Sequence, residues 1–133
     1  MKDYQAWVKI KTHIHNTKMM HPYKEGGVYL MSIGENIGWE QDGKGGLFAR
    51  PVLVIKGFSP NTILGAPLTT KSRASKYYYD LGTFKNNVRS WVVLSQLRTL
   101  DVSRISGRGR PMHKLTPKEL SVVRKTINQL LNS

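Results

Sequence analysis

The 133-residue chain contains no cysteine. Disulfides, thiolate nucleophiles and cysteine-ligated zinc are therefore excluded, and a reducing compartment is permitted. Acid is also scarce, with eight Asp plus Glu against 21 Lys plus Arg. The eight are Asp3, Glu25, Glu35, Glu40, Asp42, Asp80, Asp101 and Glu119. Only Glu40 and Asp42 lie close in sequence, too few for the clustered carboxylates of a two-metal nuclease. No metal and no cofactor are expected. No apolar run is long enough to cross a bilayer, and the opening "MKDYQAWVKIKTHIH" lacks both the uninterrupted apolar stretch and the small-residue cleavage site of a secretion signal. A soluble, cytoplasmic protein with no membrane partner is expected. Internal repeats, low-complexity tracts and Ser/Pro-rich linkers are missing too. At this length one hydrophobic core is the default, burying about two thirds of the unfolded surface.

What the chain has in excess is positive charge. A formal net charge of +13 favours a polyanionic partner, either nucleic acid or an acidic protein. Between positions 71 and 110 stand Lys71, Arg73, Lys76, Lys85, Arg89, Arg98, Arg104, Arg108 and Arg110, against only Asp80 and Asp101. A run of this kind serves equally well as a solubilising surface. His13, His15, His21 and His113 are dispersed, and solvated imidazoles are a simpler reading of them than catalytic ones.

Residues 1–22 read as an extension to the domain formed by 23–133. Val8, Ile10, Thr12 and Ile14 alternate with Lys9, Lys11, His13 and His15 as in a strand, whereas Tyr4, Trp7 and Ile14 make a helical stripe behind an Asp3 cap. A short helix is expected. From Gly26 onward β signals take over: "GVYLMSI", then the long loop "GENIGWEQDGKGG", then "PVLVIKG", the turn "FSPN" and the returning "TILGAPL". "SKYYYDL" and "RSWVVLSQL" read as two more strands, and segments this short and frequent predict a small barrel rather than a βαβ sheet. Within "KYYYD" at least one tyrosine ring must enter the core, while another is available to stack on a base. The end differs: "LTPKELSVVRKTINQLL" has Thr116 as N-cap, Pro117 at the first helical position and Glu119 at the third. A helix over 117–131 is predicted, its face of Leu120, Val123, Ile127 and Leu130 or Leu131 lying on the barrel.

One charge is oddly placed. "FARPVLVIKG" sets Arg50 at the threshold of the most apolar strand, and Pro51 holds the arginine backbone extended. The guanidinium suits two phosphate oxygens, but from this motif alone a brace to a loop carboxylate such as Glu40 or Asp42 is the simpler reading. If residues 51–55 and 62–68 form a hairpin, Thr69 and Thr70 return beside Arg50, followed by Lys71 and Arg73. Two hydroxyls beside a guanidinium could hold a phosphate.

The motifs "GGVYLMSIG", "GWEQDGKG", "ARPVLVIK", "APLTTKS", "VVLSQLRTLD" and "TPKEL…INQLL" occur in that order, and over residues 24–131 the chain resembles the MazF/PemK toxins of bacterial toxin–antitoxin systems, as a longer variant with an N-terminal extension. The resemblance implies a mainly β, SH3-like small barrel with a C-terminal α-helix, a homodimer, metal-independent endoribonuclease activity on single-stranded RNA, and an acidic antitoxin partner. By residue matching, Arg50 and Thr69 fall on the catalytic arginine and threonine of MazF-type members, and Glu40 and Gln41 on the "EQ" of the loop that contacts RNA. Lys44, Thr70, Lys71, Arg73 and Lys76 are the accompanying RNA contacts. Glu40 either serves as the general base or is an ordinary loop carboxylate. The alternative histidine, arginine and aspartate triad of some PemK-type members is absent, because Trp39, Val93 and Ser95 occupy its places. Arg98 and Asp101 either brace a dimer or touch RNA. Two other functions compete: a gyrase inhibitor of the CcdB type, whose C-terminal tryptophan is missing from "NQLLNS", and a silent RNA-binding barrel.

Overall fold

Three consecutive apolar segments build the centre of the fold. In the computed structural model, which describes residues 1–71, 74–84, 87–106 and 108–133, these segments are β1 (Gly27–Ser32), β2 (Ala49–Gly57) and β3 (Thr62–Thr69), paired antiparallel with β2 in the middle. Val52 lies opposite Pro67, Leu53 opposite Ala66 and Val54 opposite Gly65, with an irregularity between Val54 and Lys56 that bends the strand. Both faces of β2 are covered. Leu53 and Ile55 join Val28, Ala66, Leu68 and Val92 on one side, whereas Val52 and Val54 join Tyr29, Met31, Ile63 and Leu100 on the other. Burial on two sides is why "PVLVI" is continuously apolar rather than alternating.

The far side of β3 is shared. Its first half, Thr62 to Gly65, pairs with β6 (Arg98–Asp101), and its end, Leu68 and Thr69, pairs with β5 (Val88–Val93). One strand serving two partners curls the sheet into a nearly closed antiparallel barrel. β4 (Tyr78–Phe84) extends β5 at one edge, and the two-residue β7 (His113–Lys114) closes the other against β1. Tyr79 packs against the first core, while Tyr77 stays 42% exposed. The later strands differ from the sequence expectation. The apolar run after Arg89 leaves the extended conformation at a 3-10 turn, Leu94–Gln96, where Leu94 is buried in the core, and only then resumes as β6. Neither β6 nor β7 was anticipated, because strands of four and two residues carry no readable alternation.

α2 (Pro117–Leu131) begins with a full capping box: Glu119 N donates to Thr116 Oγ1 at 3.1 Å, and Thr116 N donates to Glu119 Oε1 at 2.9 Å. It lays Leu120, Val123 and Ile127 on the first core. Arg124 locks it in place, donating from Nε and Nη2 to Ile55 O at 3.0 and 2.7 Å and from Nη2 to Glu25 Oε1 at 2.9 Å. Glu25 also accepts from Gly57 N at 2.8 Å, and that backbone bond, with Arg124 and Lys56 nearby, holds its carboxyl below the usual carboxylate range. The N-terminal segment is a helix, α1 (Tyr4–Thr17), capped by Asp3, whose side chain accepts from Ala6 N at 3.0 Å. Its one buried side chain is Trp7. No helix among the described residues is long and apolar enough to cross a membrane.

Candidate active site

The long loop between β1 and β2 is folded onto itself by its own backbone. Ile33 N and Gly34 N both donate to Phe48 O, at 2.9 and 3.0 Å, Gly43 N donates to Gly34 O at 2.8 Å, and Lys44 and Ala49 exchange bonds of 2.9 and 3.0 Å. Asp42 and Asn36 then tie the distal half. Asn36 N donates to Asp42 Oδ1 at 2.6 Å, and Asn36 Nδ2 donates to Gln41 O at 2.8 Å. Gln96, in the 3-10 turn before β6, holds the loop from across the barrel: Gln41 N donates to its Oε1 at 3.0 Å and its Nε2 donates to Trp39 O at 3.1 Å. Between the loop and residues 95–98 lies a cleft of about 580 Å³, lined in part by Trp39, Glu40, Gln41, Pro67, Ser95 and Arg98. Trp39 offers its ring to solvent, 92% exposed.

Arg50 stands behind Gln41. It shares a strand face with Val52, which also lines the cleft. Its Nε donates to the backbone oxygen of Asp42. The Gln41 amide oxygen faces the same edge of the guanidinium and accepts from Nη2 at 2.7 Å and Nε at 2.9 Å, the orientation that avoids setting NH₂ against N–H. The side edge of the fork is thus fixed, whereas Nη1 has no partner among the described residues. Burial lowers the guanidinium pKa from its ordinary value, and the charge of Asp42 opposes that shift. Among the described residues no carboxylate lies within ion-pair distance of Arg50. The Asp42 side chain turns away, to Lys2 Nζ at 3.2 Å and Asn36 N. Glu40 also bonds locally, its Oε1 accepting from Ile37 N at 2.9 Å.

The hairpin register carries Thr69 to the same place. Continuing the pairing of Val52 with Pro67 by two residues, past its last bridge, sets Arg50 across from Thr69, and both lie on the side of the sheet facing the cleft. No hydrogen bond joins them. Thr69 Oγ1 accepts from Lys71 N at 3.2 Å, and Thr70 and Lys71 beyond the strand end are exposed. Lys44 is exposed on the loop, and Lys76, exposed after β3, lies 5.4 Å from the Tyr77 ring centroid. Arg73 falls outside the described residues. Of the places where a histidine, arginine and aspartate would stand, Val93 is buried, while Trp39 and Ser95 line the cleft. Among the described residues no three His, Asp or Glu side chains cluster closely enough to hold a metal ion.

A family model for the PemK-like, MazF-like toxins of type II toxin–antitoxin systems matches residues 24–131, most of the chain. The chain belongs to the PemK/MazF toxin family. Solved structures agree with the fold. A MazF from Deinococcus radiodurans superposes with a TM-score of 0.62 at 21% identity, over 85% of this chain and 99% of that one. An endoribonuclease in complex with its cognate antitoxin from mycobacterial species gives 0.60 at 17% identity, over 83% and 95%. A MazE–MazF complex from Deinococcus radiodurans gives 0.57 at 18% identity, over 84% and 97%. No sequence among the curated proteins matches. The family match begins at residue 24, so α1 lies outside it.

Sequence reasoning missed two kinds of contact to this PemK/MazF loop. Gln96 sat inside the quoted "VVLSQLRTLD" but was given no role, and only its two-ended grip on Gln41 and Trp39 reveals one. Lys2, Tyr4 and Trp7 were read as parts of an extension, yet all three reach the loop. No spacing signal in the sequence could have found them, because their partners lie some thirty to forty positions away.

Proposed function

We propose that the protein is the toxin of a type II toxin–antitoxin pair and an endoribonuclease that cleaves single-stranded RNA at short sequence motifs without a metal ion. The observation that carries this reading is Arg50, held by one edge and with no partner for Nη1 among the described residues, on the sheet face shared with Thr69. Attack of the RNA 2′-OH on its own phosphodiester forms the O2′–P bond and breaks the P–O5′ bond, leaving a 2′,3′-cyclic phosphate and a 5′-oxygen that takes up a proton, and it puts charge on the phosphorus oxygens in between. A pre-oriented guanidinium stabilises that charge at no cost of reorganisation, worth about 3 kcal/mol for one good donor. Arg50 is a poor base, because a guanidinium keeps its charge at neutral pH. In this reading Glu40, which lines the cleft, takes the 2′-OH proton, and Thr69 orients the phosphate. Gln41, Lys44, Thr70, Lys71, Arg73 and Lys76 hold the strand on either side. The acting form is a cytoplasmic homodimer, and an acidic antitoxin segment competes for the same basic surface, as a net charge of +13 favours.

Two measurements test this. Cleavage of a long RNA should survive EDTA and leave 5′-hydroxyl ends, read by primer extension. Loss under chelation that Mg²⁺ restores would overturn the metal-free mechanism. Light scattering should return about twice the 15.1 kDa chain mass, and a monomer throughout the micromolar range would remove the dimer.

A further inference from the structure

The N-terminal helix is attached to the loop that grips Arg50, and the attachment is polar at one end and apolar at the other. Lys2 Nζ pairs with Asp42 Oδ2 at 3.2 Å, and donates to Asn36 O and, at 3.4 Å, to Gly38 O. Tyr4 OH donates to the same Asn36 oxygen at 2.9 Å. One turn on, Trp7 is 6% exposed, its ring centroid 5.7 Å from that of Phe48. It lies so close over Gly34 that any Cβ there would overlap the indole. Gly34 and Phe48 are the two ends of the loop, joined by the hydrogen bond from Gly34 N to Phe48 O. The N-terminal segment therefore seals the loop base with Trp7 of α1 and pins its far half with Tyr4 and with Lys2, just before the helix cap.

The pinned residue matters. Asp42 is the one whose backbone oxygen takes Arg50 Nε, and its neighbour Gln41 takes Nη2. A loop free to swing would carry both acceptors away from the guanidinium, and a displacement of about 1 Å is enough to cost a reaction about a hundredfold. We propose that Lys2 is a positioning residue for the cleavage site: through Asp42 it fixes the loop in the register that orients Arg50, so that α1 is part of the catalytic apparatus rather than a brake upon it. The Lys2 ammonium itself is occupied by Asp42, Asn36 and Gly38 and acts through Arg50, not on RNA. The proposal rests on the assignment of Arg50 to the reaction.

The test uses the full chain with Lys2→Met, which keeps stem length and removes charge and donors, and with Lys2→Arg, which restores both. Hydrogen exchange is read at the amides of Asn36, Gln41 and Gly43, all of which donate within or across the loop. Lys2→Met should speed their exchange about tenfold, the scale of one charge-assisted bond, and leave β2 amides unchanged. Lys2→Arg should return them to wild-type rates. This arm needs no RNA, so it decides the loop attachment even if the cleavage assignment is wrong. In single-turnover cleavage at saturating RNA, Lys2→Met should lower the rate about tenfold or more in the parent and produce no further loss in an Arg50→Ala background. Unchanged exchange overturns the proposal. So does faster cleavage by Lys2→Met, which would make α1 a brake, and so does an equal loss in both backgrounds, which would mean that Lys2 acts independently of Arg50. Wild-type cleavage by Arg50→Ala would instead sink the assignment of the arginine while leaving the exchange result standing.

Discussion

Arg50→Ala and Arg50→Lys should both fold and yet lose about a hundredfold or more in RNA cleavage, the scale for removing one transition-state donor. The lysine variant is the more informative. It preserves the charge, but an ammonium cannot keep one edge on Gln41 and Asp42 while presenting another to phosphate, as the planar fork does. Thr69→Ala should also lose activity and Thr69→Ser should retain part of it, because the hydroxyl rather than the methyl lies in the proposed phosphate site. Thermal melting beside single-turnover cleavage separates the two roles open to the arginine. If Arg50→Lys cuts RNA like wild type, or Arg50→Ala melts many degrees lower, the guanidinium is a brace between loop and strand. Among the described residues Arg50 has no carboxylate within ion-pair distance, and the Asp42 carboxylate pairs with Lys2 instead.

Gly43→Ala should be the most damaging single methyl group that can be added to the loop. Gly43 is buried, and a Cβ there would run into the carbonyl of Phe48 and the nitrogen of Ala49. These are backbone atoms that cannot move aside as a side-chain tip would. Phe48 O already accepts from Ile33 N and Gly34 N, and Phe48 itself sits at a φ of 50°, so the strand entry has little freedom to adjust. A loss of about 3 kcal/mol is expected, at the upper end for an overpacked site. Cleavage should fall with it, because Asp42 is the adjacent residue and would be displaced from Arg50. Gly46→Ala is the control: no atom lies within 4 Å of its added Cβ. A Gly43→Ala protein that melts and cuts like Gly46→Ala would mean that the loop tolerates a second arrangement and that its present one does not orient the arginine.

Several features were legible because each is written in neighbouring residues. The capping box of α2 needs only Thr116, Pro117 and Glu119, and those three are contiguous in effect. The hairpin of β2 and β3 follows from two apolar runs about a polar turn, and its pairing runs as far as Val52 opposite Pro67. The family motifs lie in order along residues 24–131, where the family model also matches. The ambiguous alternation of residues 8–15 was resolved toward helix because Asp3 supplies a cap and Trp7 is the side chain with a core to enter.

Sequence alone therefore determined the small β-barrel and the helix at each end, since these depend on local periodicity, turn chemistry and hairpin pairing, whereas the choice of Arg50 and Thr69 came from the resemblance to the MazF/PemK family. Tertiary structure decided the rest. Only the folded chain could show that β3 divides its outer edge between β5 and β6, that Gln96 spans from one side of the barrel to Gln41 and Trp39, and that Lys2 takes Asp42 away from Arg50. These are single polar contacts between distant segments. They have no period and no composition to betray them, and they form only after hydrophobic burial has brought their backbones together.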